Sequence, residues 1–339
     1  MRRPLIRRLT ALCAAATLLA TAAACGNPED DAGLVIYSGR NENLVKPLLE
    51  DMEKAIGTTI AVRYGDSAEM AAQIQEEGDK TKAGLFFSQD AGALGALSTK
   101  GLLKKLPKSS LDKVAPSFRG GAGDWVGTSG RVRVLAYHPG QVSKVPDSVH
   151  DLTKPEWKGK VGYVPTNASF QAFVTGMRVL EGDDATRTWL KGLKANEPKV
   201  YENNLKVLDA VGEGEVALGL VNHYYWYEQV AEKGEDKVGA KIHFLPGGDP
   251  GSLVNAAGVG ILKSSDQTAA AQKAVDFLLS EKAQKYFADD TKEYPLAAGV
   301  TSTVKDLPAL ESLDAPKIDL GKLESLQETL KMLQDVGMV

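Results

Sequence analysis

The stretch LVIYSGRNENLVKPLLEDMEKAIGTTIAVRYG, residues 34–65, decides the fold class. Its first part, 34–39, is an apolar run that ends in glycine, which is typical of a buried strand entering a turn. Residues 41–57 repeat apolar side chains about every four positions, so they predict a helix that ends at Gly57. Residues 58–65 alternate as a second strand.

The same pattern continues once more along the chain. Residues 67–78 predict a helix with Ser67 as its N-cap, and 83–90 predict a third strand. A β-α-β-α-β order of this kind requires parallel strands with right-handed crossovers. The opening of the chain therefore belongs to an α/β protein.

A long extended segment, WVGTSGRVRVLAYHP at 125–139, is long enough to pass from one lobe to another. Further strands and helices follow it, among them one helix expected over 268–289 and a closing helix near 322–336. This pattern predicts two α/β lobes joined by crossing hinge strands around a ligand cleft, similar to the type II-like periplasmic-binding-protein fold. We expect lobe 1 at 34–131 plus about 255–305, and lobe 2 at 132–254 plus about 306–339.

The N-terminus predicts export. Basic residues precede an apolar run from Leu9 to Ala24, and this run is shorter than the roughly 20 residues of a spanning helix. We interpret 1–24 as a signal peptide and AAAC at 22–25 as similar to a bacterial lipobox. Cys25 would then carry lipid, and 25–33 would form a polar tether to a membrane surface.

Charge and cysteine content exclude several classes of protein. The net charge is −4, and loss of the four signal arginines makes it about −8, which argues against a nucleic-acid partner. The chain has 2 cysteines, Cys13 in the signal and Cys25. The mature protein would therefore lack disulfides, iron–sulfur clusters and cysteine-type zinc sites.

The segment NHYYWY at 222–227 carries the most distinctive chemistry. Tyr224 and Tyr225 are adjacent at a predicted strand-to-helix junction, and phenolates are hard anionic donors that suit Fe³⁺. A packed aromatic cluster is the alternative, and it is the preferred interpretation for Trp226 and Tyr227. For His223 we expect local hydrogen bonding.

Several motifs in one order resemble the ferric-ion-binding proteins of bacterial iron ABC transporters. The resemblance extends from Leu34 to about Val300 and rests on YSGRNENLVKPL, RYGDSAEMAAQIQEEG, FFSQDAGALGAL, SGRVRVLAY, PEWKGKVGYVPTNASFQAF, NHYYWY, GDPGSLVN and KEYPL. It implies a two-lobed receptor that binds Fe³⁺ with a synergistic anion such as carbonate or phosphate.

The resemblance also implies roles for individual residues. Tyr224 and Tyr225 match the tyrosine pair that binds iron. The residues that match the anion site are Asn167, Ala168 and Ser169 in the anion loop, with Asn204, Asn222 and Arg131. Arg131 can alternatively serve in an ordinary salt bridge, and Asn167 or Ser169 can simply cap a helix.

This chain departs from the family pattern at three positions. Asn41 stands where some members have a ligand histidine. Other members have a third ligand tyrosine in the anion loop, and the nearest position in this chain is Phe170. Glu69 is the candidate for the carboxylate ligand of some members, or else a first-turn carboxylate favoured by the helix dipole. Bound anion or water would complete the iron shell.

The resulting hypothesis is a non-enzymatic, monomeric receptor, exported and lipid-anchored, that delivers Fe³⁺ to an ABC permease and its ATPase. The nearest alternative is a receptor of the same fold for another anionic or chelated ligand. An exported hydrolase is a further alternative, but the sequence contains neither GxSxG nor HExxH. A structural lipoprotein fits poorly with the predicted hinge strands.

Overall fold

The structure is a computed structural model that describes residues 29–339. The expected signal peptide 1–24 and Cys25 lie outside the described residues, as does the first part of the tether. No helix in 29–339 is both long and apolar enough to cross a membrane.

The described chain alternates between strands and helices. The strands are β1 (Leu34–Ser38), β2 (Ile60–Tyr64), β3 (Leu85–Ser88), β4 (Trp125–Tyr137), β5 (Val161–Tyr163), β6 (Lys199–Val200), β7 (Leu218–Asn222), β8 (Lys241–His243), β9 (Val254–Ile261) and β10 (Tyr294–Pro295). The helices are α1 (Glu42–Ile56), α2 (Ser67–Glu77), α3 (Ala91–Thr99), α4 (Lys108–Leu111), α5 (Ala168–Glu181), α6 (Asp183–Ala195), α7 (Asn204–Gly212), α8 (His223–Lys233), α9 (Thr268–Leu278), α10 (Glu281–Asp289) and α11 (Leu326–Asp335).

The opening β-α-β-α-β unit is confirmed. Strand β1 lies between β2 and β3 and pairs with both in parallel. Helix α1 begins after Asn41, whose side chain accepts a hydrogen bond from the Asn43 N–H. It ends at Gly57 in the left-handed conformation, at φ 65°, which glycine adopts without steric cost.

The expected N-cap of α2 was wrong by one residue. Asp66 occupies the N-cap position, and Ser67 is the first helical residue. The Ser67 hydroxyl oxygen instead accepts the backbone N–H of Gln89, at 2.8 Å. Ser67 therefore connects the start of α2 to the end of β3, a contact that local sequence does not reveal.

Strand β4 crosses between the two halves of the protein, as the sequence predicted. Residues 125–132 pair antiparallel with β9, and 133–137 pair antiparallel with β7. Strand β8 pairs antiparallel with 135–137. The resulting strand order is β2-β1-β3-β9-β4-β7-β5-β6, so β4 and β9 stand between the two sets of shorter strands. The sheet is consequently mixed, with parallel pairs at both ends and antiparallel pairs in its middle.

The hydrophobic core follows this division. One buried cluster is built on β1, β3, β9, α1, α3 and α9, and also holds Leu320 and Leu323. The others lie on β5, β7, α5 to α8 and the C-terminal α11. The architecture is the two-lobed α/β fold expected, while the boundaries of each lobe stay a prediction.

One expected helix is in fact two. The pattern over 268–289 predicted a continuous helix, but α9 ends at Leu278 and α10 begins at Glu281. Ser280 caps α10 by accepting the Ala283 N–H, at 3.4 Å. The apolar repeat continues through the break because both helices pack on the same core. The Ser280 cap interrupts the helix without changing that repeat.

Strands β4 and β9 approach so closely at Gly258 that a larger side chain there should destabilise the fold. At Gly258 an added Cβ would lie 2.6 Å from the Val126 carbonyl oxygen, which is backbone and cannot rotate away. We expect Gly258→Ala to lower the free energy of unfolding by about 1–3 kcal/mol, measured by urea denaturation. Gly121→Ala is the control, since its Cβ would meet nothing within 4 Å. Equal effects in both variants would contradict the close approach.

Candidate functional site

The adjacent tyrosines lie where a buried strand turns into a helix. Strand β7 ends at Asn222, and α8 begins at His223, so Tyr224 and Tyr225 occupy its first turn. Their ring centroids are 4.2 Å apart, with the planes tilted by 37°. Tyr224 is 4% exposed and Tyr225 is half-buried. Two phenol groups are therefore held side by side.

Both tyrosines line a cavity of about 710 Å³ between the two halves of the sheet. One wall comes from the first half of the chain, namely residues 39–44 and 64–67 with Gln89. The opposite wall is formed by Val164, Thr166, Asn167, Ala168, Ser169, Glu202, Leu205, Tyr224, Tyr225 and Glu228. The cavity is a cleft of mixed polarity at the point where the parallel strands end.

The structure brings most of the expected site residues to this cleft but not all. Asn41, Asn167, Ala168 and Ser169 line it together with the tyrosine pair. Asn41 is exposed and its side-chain oxygen is used as the cap of α1. Glu69 is exposed on α2 and is not among the residues that line the cavity. The helix phase of α2 turns Glu69 towards solvent.

The predicted anion loop is a capped helix N-terminus. Asn167 caps α5, and its Oδ1 accepts the backbone N–H of Ser169 at 2.9 Å and the Ser169 hydroxyl at 2.6 Å. The same Oδ1 accepts a hydrogen bond from Asn204 Nδ2 at 3.2 Å. Asn204 thereby fixes the loop from α7. The loop can serve both as a helix cap and as an anion site. The cap uses the N–H of Ser169, and a helix N-terminus also presents N–H groups that have no partner within the helix, so they can bind an anion.

Arg131 and Asn222 are buried close to the cavity without lining it. Arg131 is 2% exposed, its Nη2 donates to the Gln89 carbonyl, and its Nε and Nη1 have no hydrogen-bond partner. Burial lowers the pKa of Arg131, and the Glu293 carboxylate opposes this change. Asn222 is buried as well, with its Nδ2 unpartnered. Unpaired buried donors are rare because each has lost its water without compensation.

An ion pair missed by the sequence analysis lies beside this cluster. Arg40 and Glu293 are both buried and form a two-pronged contact, with Nη1–Oε1 at 3.0 Å and Nη2–Oε2 at 2.6 Å. Glu293 also accepts hydrogen bonds from Ser129 and Thr291. Its motif KEYPL contributed to the family resemblance, but nothing in the local pattern indicated a buried carboxylate.

Gln89 also escaped the sequence analysis. It lines the cavity, and its Oε1 is buried without a hydrogen-bond donor. The pattern of residues 83–90 predicted a strand over this position and no role for Gln89. Because strands β1 and β3 are parallel neighbours, the residues after each of them, Arg40 and Gln89, meet at the same edge of the sheet. Strand order was the signal that could have found Gln89.

The residues beside the tyrosine pair are packed as expected. His223 accepts the Val132 N–H at 3.3 Å, and its ring lies 4.9 Å from that of Tyr294. Burial lowers the pKa of His223 to about 4. Trp226 and Tyr227 donate to the carbonyls of Ala240 and Asp306, at 2.8 and 2.9 Å. These contacts anchor α8 to the neighbouring strand and to the C-terminal segment.

Tyr224 is uncharged at neutral pH. Burial raises the pKa of Tyr224 well above its usual value of 10, and the neighbouring Tyr225 raises it further, against the opposing effect of Arg131. Ionisation of Tyr224 therefore requires a positive charge close to the phenol oxygen. A highly charged cation bound between the rings would supply that charge.

Glu228, one turn beyond the pair, offers a test of the cleft's electrostatics. Burial raises the pKa of Glu228 to about 7, and Glu293 adds to the shift, while Lys292 and Arg40 oppose it. An ordinary carboxyl titrates near 4.3, so folding is most favourable below that pH and loses free energy as pH rises towards 7.

We therefore expect Glu228→Gln to stabilise the empty protein at pH 8 by about 2–4 kcal/mol and to change little at pH 4. Urea denaturation at the two pH values measures this difference. Glu232→Gln, an exposed position on the same helix, serves as the control and should change little at either pH. A Glu228→Gln variant with the same stability as wild type at pH 8 would contradict the assigned burial.

Comparison with known proteins identifies the family of the chain. Residues 80–319 match the family of bacterial extracellular solute-binding proteins. The Fe(3+)-binding periplasmic protein of Serratia marcescens is 33% identical over 97% of each chain. The major ferric iron-binding protein of Neisseria meningitidis serogroup B is 33% identical over 95% of this chain and 97% of its own.

The solved structures show the same relationship. Iron-bound HitA from Pseudomonas aeruginosa superposes with a TM-score of 0.84 and 36% identity, covering 90% of this chain and 99% of its own. An apo ferric-ion-binding protein A from Pasteurella haemolytica gives a TM-score of 0.80 at 27% identity, covering 89% of this chain and 97% of its own. The fold, the cleft and the sequence relatives agree, and the chain belongs to the ferric-ion-binding protein family of bacterial extracellular solute-binding proteins.

Proposed function

We propose that this protein is an extracytoplasmic receptor that binds Fe³⁺ together with an anion in its cleft and delivers it to an ABC importer. The observation that carries the proposal is the position of Tyr224 and Tyr225, adjacent in the first turn of α8 and lining the cavity. Phenolate oxygens favour a small, highly charged cation over softer metals. The function of the curated relatives, iron binding and iron uptake, supports the same cargo.

Binding would couple metal entry to proton release. Both phenols must ionise to act as ligands, and the trivalent ion supplies the charge that lowers their pKa. Iron affinity should consequently fall as pH falls. Because the cleft has walls from both halves of the protein, a cargo that contacts both walls favours the closed arrangement of the lobes. No catalytic step is needed for this role.

An anion would complete the site. Asn167, Ala168 and Ser169 present the N-terminus of α5 at the cavity, where backbone N–H groups and the helix dipole favour an oxyanion. Asn204 supports that loop, and the unpartnered donors of Asn222 and Arg131 lie buried nearby. Carbonate or phosphate has the oxygen geometry to accept these donors.

The remaining ligands of the metal are proposed differently from the sequence-based expectation. Asn41 lies at the cavity, although its oxygen is already used to cap α1. Glu69 is exposed outside the cavity, so we assign it no role in coordination. Oxygen atoms from the anion or from water would fill the positions that the tyrosine pair leaves open.

The residue pattern of 1–25 and the family support a proposed cellular setting. We propose that Cys25 is lipidated after removal of 1–24, which would hold a monomeric receptor at the outer face of the cell membrane. Its partners would be a permease and the ATPase that drives it. Metabolic labelling with a palmitate analogue, compared between wild type and Cys25→Ser, tests the anchor: equal labelling of both would contradict it.

A ferric titration tests the cargo. Purified signal-free protein is titrated with a weakly chelated ferric salt in the presence of bicarbonate or phosphate, and visible absorption is recorded. We expect a tyrosinate-to-iron charge-transfer band that saturates at one metal per protein. A folded protein that develops no band under these conditions would exclude direct ferric binding and favour another anionic or chelated ligand.

A further inference from the structure

Arg133 is a buried cation for which the described part of the chain supplies no counter-ion. It lies on β4, where that strand enters the second half of the sheet, and it is 3% exposed. No carboxylate among residues 29–339 forms an ion pair with it, whereas the buried Arg40 is paired with Glu293. A buried charge without a partner is strongly unfavourable. Its presence therefore calls for an explanation.

The guanidinium of Arg133 is held in one orientation. Its Nη1 donates to the Ser169 hydroxyl at 3.1 Å, and its Nη2 donates to the Leu220 carbonyl at 3.0 Å. The ring of Phe173 lies against it, with the centroid 5.3 Å from Cζ. Nε has no partner. Arg133 is thereby fixed beneath the anion loop, with a direct hydrogen bond to a residue of that loop.

The negative charge that would compensate Arg133 is that of an oxyanion bound at the anion loop. Arg133 donates directly to the hydroxyl of Ser169, a residue of that loop that lines the cavity. Burial lowers the pKa of Arg133 to about 9, so the guanidinium keeps its charge at neutral pH.

We propose that Arg133 is the counter-cation of the loaded cleft, a positioning residue that acts through Ser169 and couples the binding of an oxyanion to the binding of the metal. The inference rests on the proposed function and assigns the dependence of metal binding on the oxyanion to one residue. A buried cation that is bonded to the anion loop disfavours a cleft that holds the metal without the anion.

The test compares Arg133→Gln, which removes the charge, with Arg133→Lys, which keeps it. Ferric affinity is measured by competition with citrate, with and without bicarbonate. We expect Arg133→Gln to weaken ferric binding in bicarbonate by about 10- to 100-fold and to remove most of the gain that bicarbonate gives wild type. Arg133→Lys should recover most of that gain. Arg178→Gln is the matched control and should behave as wild type, because Arg178 is half-buried, pairs with Asp183 and does not line the cavity.

A second readout separates this role from a structural one. Removal of an uncompensated charge should leave the melting temperature of the empty protein unchanged or raise it, whereas loss of a structural residue would lower it.

Wild-type affinity and bicarbonate dependence in Arg133→Gln would overturn the inference, and so would an Arg133→Lys variant as weak as Arg133→Gln. If Arg133→Gln does not fold, Ser169→Ala tests the same link: its bicarbonate dependence should fall by about 3- to 10-fold, and an unchanged dependence would contradict the proposal.

The outcomes also distinguish this inference from the proposed function. A wild-type protein that forms no ferric band in bicarbonate refutes the function itself. A wild-type band together with an unaffected Arg133→Gln variant refutes only the role of Arg133.

Discussion

Tyr225→Phe is expected to abolish tight ferric binding. The substitution removes one phenol oxygen from the pair at the start of α8. It leaves the aromatic ring in place, with its centroid 4.2 Å from that of Tyr224. The lost oxygen is one of two anionic donors of the chain, so the affinity should fall by at least about 1000-fold, beyond the 10- to 100-fold typical of an outer partner of a metal ligand. The charge-transfer band at wild-type saturation should collapse, and citrate competition measures the affinity.

A tyrosine on the same helix provides the control for this loss. Tyr227 donates to the Asp306 carbonyl and does not line the cavity, so Tyr227→Phe should keep the band and its stoichiometry. If Tyr225→Phe retained a full-intensity band, the second phenolate would have to come from elsewhere. Tyr64, which also lines the cavity, would then be the next residue to replace.

Glu293→Gln is expected to have the largest effect on stability. The carboxylate is completely buried, pairs with Arg40 through two hydrogen bonds and lies 4.0 Å from Arg131. Removing its charge leaves two buried guanidinium groups without compensation. Breaking a buried pair in this way costs about 3–5 kcal/mol, which urea denaturation of the empty protein at pH 7 would measure.

An exposed carboxylate provides the control for Glu293→Gln. Glu281→Gln removes the exposed partner of Lys285 and should change stability little. Burial by itself would raise the pKa of Glu293, but Arg40 and Arg131 hold it below its usual value. The contribution of Glu293 is therefore fully present above about pH 4.3 and is lost as pH falls through the lower folded-state pKa. A Glu293→Gln variant as stable as wild type at pH 7 would refute the buried ion pair.

Ferric binding and stability are expected to respond separately to these two variants. Tyr225 is half-buried at the cavity, and its loss removes a ligand without breaking an ion pair. Glu293 belongs to the junction where β10 pairs with β4, behind the cleft. Its loss should weaken the scaffold that positions both walls. Measuring both properties on both variants distinguishes coordination from support.

Much of the fold was predictable because it depends on local patterns. The apolar repeats of 34–65 and the following segment specify strand, helix and strand without reference to the rest of the chain, and the structure confirms them. The long segment that became β4 was also recognisable from its length. The tyrosine pair could be found for a similar reason: adjacency in sequence is adjacency in space, whatever the rest of the fold.

The failures share one cause. Ser67 was misplaced as a cap, and one helix was expected where α9 and α10 are separate, because caps depend on hydrogen bonds that the apolar repeat does not encode. The candidate ligand Glu69 stays untested, and the structure adds only that it is exposed on α2 and does not line the cavity. Patterns locate elements more accurately than they orient single residues.

The amino-acid sequence by itself determined the α/β class, the crossing strand, the family and the tyrosine pair, since each depends on neighbours in the chain. Only the tertiary structure decided the electrostatics around that pair. Arg40 and Glu293 are hydrogen-bonded although they are 253 positions apart in the sequence. Arg133 and Ser169 are hydrogen-bonded at a separation of 36 positions. Contacts between distant segments leave no periodic signal in either segment. Their energies also depend on burial, which is set only when both lobes are packed.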